Sequence, residues 1–103
     1  MTENLPYMQA CLGSAAACLK CAENASGEGC SKQCRTNAEL ASCTAKLMSI
    51  GAPEVKALVD MTRASSDKCS EMCGKHDNDH CQACANAARQ LADSLRMYQE
   101  SNS

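Results

Sequence analysis

The chain has 103 residues, enough for one small domain with a single core. A net charge of −2 excludes the basic face that nucleic-acid binding needs, and no apolar run is long enough to span a bilayer. Ten cysteines and six methionines stand beside two tyrosines and no phenylalanine or tryptophan.

Cysteine at this density marks a disulfide scaffold in a short secreted chain. Two features oppose that reading. The composition is Ala-rich with only two prolines, whereas disulfide scaffolds are rich in loops. The apolar start carries Glu3 as its only early charge and so lacks the positive segment of a secretory signal. The expectation is a cytoplasmic protein with reduced thiols, and ten reduced thiols in a helical chain point to soft-metal binding.

Four helices follow from the periodicity. The first is expected from about Pro6 to Asn24, stopped by the segment 25–29, with the stripe Met8, Cys11, Ala15, Cys18, Ala22 and with Ser14, Cys21 and Ala25 alongside. The second is expected from Cys30 to Ser49. Cys30, Cys34, Asn37, Ala41 and Met48 line one of its faces, and Leu40, Leu47 and Ile50 line another. Gly51-Ala52-Pro53 separates it from a third helix, Glu54 to Gly74, with the stripe Val55, Leu58, Thr62, Ser65, Cys69, Cys73. The fourth runs from Asp79, read as N-cap, to Tyr98 with the stripe Cys81, Cys84, Ala88, Leu91, Leu95, Tyr98, leaving residues 100–103 as a frayed tail.

Short connections between helices of similar length imply an all-α, antiparallel up-down-up-down four-helix bundle, one domain spanning residues 1–103. That topology carries the turn after helix one and the turn after helix three to the same end. Cys18, Cys21, Cys30, Cys34, Cys69, Cys73, Cys81 and Cys84 therefore share one half of the core. Leu58, Leu91, Leu95, Ala41, Met48 and Tyr98 fill the other. Cys11 lies on the core stripe farther from the turns, and Cys43 points away from it. Packing alone would explain one or two core cysteines, but not eight gathered at one end.

Thiols spaced i, i+3 and i, i+4 aim several sulfurs at one volume. Such a set suits Cu(I), which accepts two or three thiolates and bridging ones. It also has the count for zinc or for an iron–sulfur cluster, although neither ferredoxin spacing occurs. His76 and His80 flank the last turn and are read either as ligands or gates at the mouth or as solvated helix caps. Met72, between Cys69 and Cys73, is a thioether beside the same volume. No nucleophile–base arrangement or substrate cleft is signalled, so the chain reads as a non-enzyme.

The segment Cys69-x3-Cys73-Gly-Lys-His76-Asp-Asn-Asp-His80-Cys81-Gln-Ala-Cys84-Ala resembles the cysteine-rich four-helix-bundle copper storage proteins, and their cytosolic branch in particular. Cys18-x2-Cys21-Ala, Cys34-Arg35 and Leu47-x3-Gly51-Ala-Pro53 extend the likeness over most of the chain. The resemblance implies a core that binds many Cu(I) ions through thiolates. This chain departs from it at Ser14, Ala25, Asn37, Ala41, Thr44, Thr62, Ser66, Ala88, Leu91 and Leu95, where the family would continue its cysteines. Nearly all of these but Ala25 lie toward the distal half. The implied function is sequestration of several Cu(I) ions in one compact cluster in the cytosol. The alternative is a bundle holding an iron–sulfur cluster for electron transfer or redox sensing. Metal ions are the expected partners, neither nucleic acid nor membrane is, and the second apolar face of helix two leaves a homo-oligomer open.

Overall fold

In the computed structural model, which describes residues 4–24 and 30–102, the periodic stripes become four α-helices. They are α1 (Leu5–Asn24), α2 (Cys30–Ile50), α3 (Val55–Gly74) and α4 (Asp79–Ser101). Each packs on two neighbours, α1 on α2 and α4, and α3 on α2 and α4, which makes a square, antiparallel bundle. Its extents of 38 × 20 × 20 Å match helices of 20–23 residues rising about 1.5 Å per residue. The expected architecture is the observed one. Ala25 and the rest of the first turn lie outside the described residues.

Local chemistry accounts for the turns that are described. Gly51 has φ +66°, the left-handed conformation that ends a helix at least cost in glycine. Its N–H bonds to the Met48 carbonyl at 3.2 Å, and the Ala52 N–H bonds to the Leu47 carbonyl at 3.1 Å. That pair of bonds satisfies two of the orphan carbonyls at the end of α2, and Leu47 and Ala52 both pack against the core. At the other turn, Asn78 is extended and its side chain accepts the Cys81 N–H at 2.8 Å. Gln82 reaches back from α4, its Nε2 donating to the carbonyls of Gly74 and His76 at 3.2 and 2.6 Å. This staple fixes where Cys81 and Cys84 face Cys69 and Cys73.

Three expectations change. The N-cap is Asn78 rather than Asp79, because the acceptor that reaches the third N–H belongs to the residue before the first helical one; Asp79 sits instead in the first turn, where the helix dipole favours its charge. α4 continues to Ser101 because nothing after Tyr98 breaks it, and Gln99 ties it to α3 by bonding both Arg63 and Asp60. Val59, fully buried, takes the core position assigned to Leu58, which is half-buried. The core stripe of α3 thus runs Val55, Val59, Thr62, Ser66, Cys69, Cys73, alternating steps of four and three, with Ser65 at its edge.

The core has three zones along its axis. Away from the cysteines, Met48, Val55, Val59, Leu91 and Leu95 are buried, closed off by an edge-to-face contact between Tyr7 and Tyr98 at 5.3 Å. In the middle stand buried hydroxyl and amide side chains. At the far end are the thiols.

Leu91 is fully buried, so Leu91→Ala should cost about 2–5 kcal/mol through lost burial and residual cavity. Urea unfolding of the reduced, metal-free protein measures this as a lower midpoint at unchanged slope. A cost below about 1 kcal/mol would show that the apolar end does not carry the fold.

Candidate metal centre

Eight cysteines share one half of the bundle, and each of them is 1% exposed or less. α1 supplies Cys18 and Cys21, α2 Cys30 and Cys34, α3 Cys69 and Cys73, α4 Cys81 and Cys84. Their sulfurs touch across the axis. Cys34 lies 3.3 Å from Cys73 and 3.5 Å from Cys84, and Cys84 lies 3.3 Å from Cys18 and 3.6 Å from Cys69. Nearer the mouth, Cys81 is 3.5 Å from Cys21 and 4.0 Å from Cys30.

Among the described residues these contacts resolve into three groups whose ligand atoms all lie within 4.8 Å of one another. Cys21, Cys30 and Cys81 form the outermost; Cys21, Cys34, Cys73 and Cys84 the middle; Cys18, Cys69 and Cys84 the innermost. Cys21 and Cys84 each belong to two groups, so the three make one connected row. A metal with bonds of about 2.3 Å to sulfur sets its ligands about 3.8 Å apart in a tetrahedron or about 4.0 Å in a triangle. The observed separations need only a slight outward movement to reach those values.

The ionisation pattern follows from the crowding. Hydrogen bonds from Cys69 and Cys84, helped by Asn37 and Ser14, draw the Cys18 thiol down to about 3. Cys34 is lowered chiefly by its hydrogen bond from Cys69, and Cys73 chiefly by its contact with Cys34. Their partners move the other way. Cys69 and Cys84 are raised, in each case first by the bond to Cys18, and Cys21 is raised first by burial. Burial also pushes Cys30 to about 12. Without a cation, some thiols hold their protons so that others can be thiolates.

The histidines stand apart from the three groups. His80 Nδ1 lies 3.5 Å from Cys81 Sγ, at the rim. Its side chain also lines a cleft between α1 and α4 with Lys20, Asn24 and Asp79. His76 is half-buried in the turn, and its N–H bonds to the Cys73 carbonyl at 3.1 Å. Met72 is half-buried and opens toward Lys32 and Lys68 in the α2–α3 groove.

Cys43 is exposed, on the face of α2 that carries exposed Ile50. Cys11 is fully buried but belongs to none of the three groups, and burial raises it to about 12. Two side chains that touch the cluster were read from the sequence as core-facing positions and as departures from a cysteine pattern, not as contacts of the cluster. Asn37 Nδ2 donates to Cys18 Sγ at 3.4 Å, and Ser14 Oγ lies 3.9 Å from the same sulfur. Their place on the core stripes was the available signal; their contact with sulfur was not readable from spacing.

Comparison with known proteins gives a consistent result. A family model described as copper storage protein matches residues 2–100. An uncharacterized cysteine-rich protein of Bacillus subtilis (strain 168), YhjQ, is 31% identical, the match covering 87% of this chain and 94% of the relative. The solved structure of Cu(I)-bound copper storage protein BsCsp3 superposes with a TM-score of 0.87 at 30% identity, over 91% of this chain and 95% of that one. The apo form of copper storage protein 3 from Bacillus subtilis gives the same TM-score and identity, over 91% and 96%.

In the native, reduced, metal-free protein, iodoacetamide should modify Cys43 first and Cys11 only on unfolding. A Cys11 that reacts as fast as Cys43 would contradict its burial. The raised Cys11 value also has a sign: its neutral form belongs to the fold, so its contribution is complete below the ordinary thiol value near 9 and is lost as pH climbs toward about 12. Cys11→Ala should flatten the fall in stability over that interval, measured by denaturation at stepped pH.

Proposed function

The chain belongs to the copper storage protein family, and we propose that it sequesters several Cu(I) ions in one thiolate cluster held by Cys18, Cys21, Cys30, Cys34, Cys69, Cys73, Cys81 and Cys84. The observation that carries this ligand set is the connected row of three sulfur groups. A single ion would use three or four thiols, whereas groups that share Cys21 and Cys84 let neighbouring ions be bridged. Cu(I) is the soft cation that accepts both low coordination and bridging thiolates.

The chemistry of uptake is proton exchange. Each arriving ion displaces protons from thiols such as Cys30, held neutral first by burial, and Cys69 and Cys84, held neutral first by their bonds to Cys18. The protein performs no bond-making reaction on a substrate in this reading; it binds and retains. His80 beside Cys81, and His76 in the adjoining turn, are assigned to the mouth of the cluster. The iron–sulfur alternative is disfavoured by spacing. Such a cluster interposes inorganic sulfide between its cysteines, whereas these sulfurs already lie 3.3–4.0 Å apart.

We assign the protein to the cytosol, where a reducing environment keeps its cysteines free. No helix among the described residues is long and apolar enough to cross a membrane. If copies associate, the exposed end of the second apolar face of α2, around Ile50, is the surface assigned to it.

Anaerobic Cu(I) titration tests the ligand set. The double substitution Cys34→Ser and Cys84→Ser should remove at least one ion per chain, while Cys43→Ser should leave stoichiometry unchanged. Equal stoichiometry in wild type and double variant would overturn the assignment. Affinity should fall with falling pH, because protons compete for the same sulfurs.

A further inference from the structure

Five polar side chains, Ser14, Asn37, Thr44, Thr62 and Ser66, cross the core between the thiols and the leucines, each 1% exposed or less. Thr44 and Thr62 satisfy each other at 2.9 Å, and Thr44 also donates to the Leu40 carbonyl at 2.7 Å. Asn37 differs. Ser66 Oγ donates to its Oδ1 at 3.1 Å, and Nδ2 faces Cys18 Sγ at 3.4 Å. Turning the amide over would set its oxygen against an electron-rich sulfur, while the Ser66 hydroxyl, which both donates and accepts, would take the N–H instead. In a dry core that costs the bond to sulfur.

Cys18 belongs to the innermost of the three groups. On one side it meets Cys69 at 3.9 Å and Cys84 at 3.3 Å; its remaining surface takes the Asn37 amide and the Ser14 hydroxyl. A sulfur whose free lone pair is already engaged by an N–H donor is suited to bind one metal rather than bridge two. Resting on the Cu(I) reading above, we propose that Asn37 is a positioning residue of the cluster. Its amide, hydrogen-bonded to Ser66, holds Cys18 as a terminal thiolate and ends the row of copper ions at Cys18, Cys69 and Cys84. Outer-shell donors of this kind orient a ligand and moderate its charge. Cys11, in no sulfur group, is left without metal beyond that limit.

The test compares wild type, Asn37→Leu, Ser66→Ala and, as control, Cys43→Ser. Each is loaded anaerobically with Cu(I) and then challenged with the Cu(I) chelator bathocuproine disulfonate. Loss of a donor to a charged sulfur should loosen the most tightly held ion about tenfold in Asn37→Leu, and loosen it in the same direction in Ser66→Ala. In wild type the Asn37 side-chain amide proton should move upfield in the NMR spectrum on loading, as copper draws charge off the Cys18 thiolate, a change that an asparagine without a bond to that sulfur would not show. An unmoved resonance, or a competition curve for folded Asn37→Leu that coincides with wild type, would overturn the proposal. Should Asn37→Leu fail to fold, the wild-type resonance decides. A wild-type chain that takes up no Cu(I) overturns the copper reading and this inference with it, an outcome distinct from normal uptake with an unmoved amide.

Discussion

Eight thiols in contact at 3.3–4.0 Å, nearly free of water, cannot all ionise. Every thiolate raises the cost of the next, so the metal-free core settles into acceptors such as Cys18 and Cys34 held by donors such as Cys69 and Cys84. This is a poor way to stabilise a core and a good way to prepare one for cations. A soft monovalent ion removes a proton and a repulsion in the same step. The helical spacing, the caps and the turns all serve to put sulfur on facing walls of one volume.

The rest of the core makes that arrangement tolerable. Leu91, Leu95, Val59 and Met48 form an apolar end, and the Tyr7–Tyr98 contact closes it. Between the two ends lies the polar rung, fully buried and hydrogen-bonded, with Asn37 and Ser14 turned to sulfur and Thr44 and Thr62 turned to each other. The division is physical as well as chemical. Buried hydroxyls and amides tolerate a charged cluster on one side better than leucine would, because their dipoles face it. Family membership and a fold shared with Cu(I)-bound BsCsp3 agree with a storage role.

Much of this was legible in the sequence because helical periodicity is a strong signal and cysteine an unusual one. The stripes of Cys18, Cys21, Cys69 and Cys73, the gathering of eight thiols at one end and the exposure of Cys43 all follow from counting in steps of three and four. Two of the misreadings share a cause. Leu58 against Val59, and Asp79 against Asn78, are choices between adjacent residues of similar chemistry, separated only by the rotation of a helix on its neighbours or by which side chain reaches an N–H. Asn37 was placed on the core face, but its bond to Cys18 depends on the depth at which α1 and α2 are paired, which no single-helix pattern contains.

The central claim is that metal occupies only the thiol half. Crystals of the Cu(I)-loaded protein, with anomalous data collected at the copper edge, test it directly. Several copper peaks between the level of Cys18 and Cys69 and the level of Cys30 and Cys81, with none beside Cys11, Leu91 or Leu95, are the expected result. Copper beside Cys11, or on surface residues with an empty core, would contradict the account.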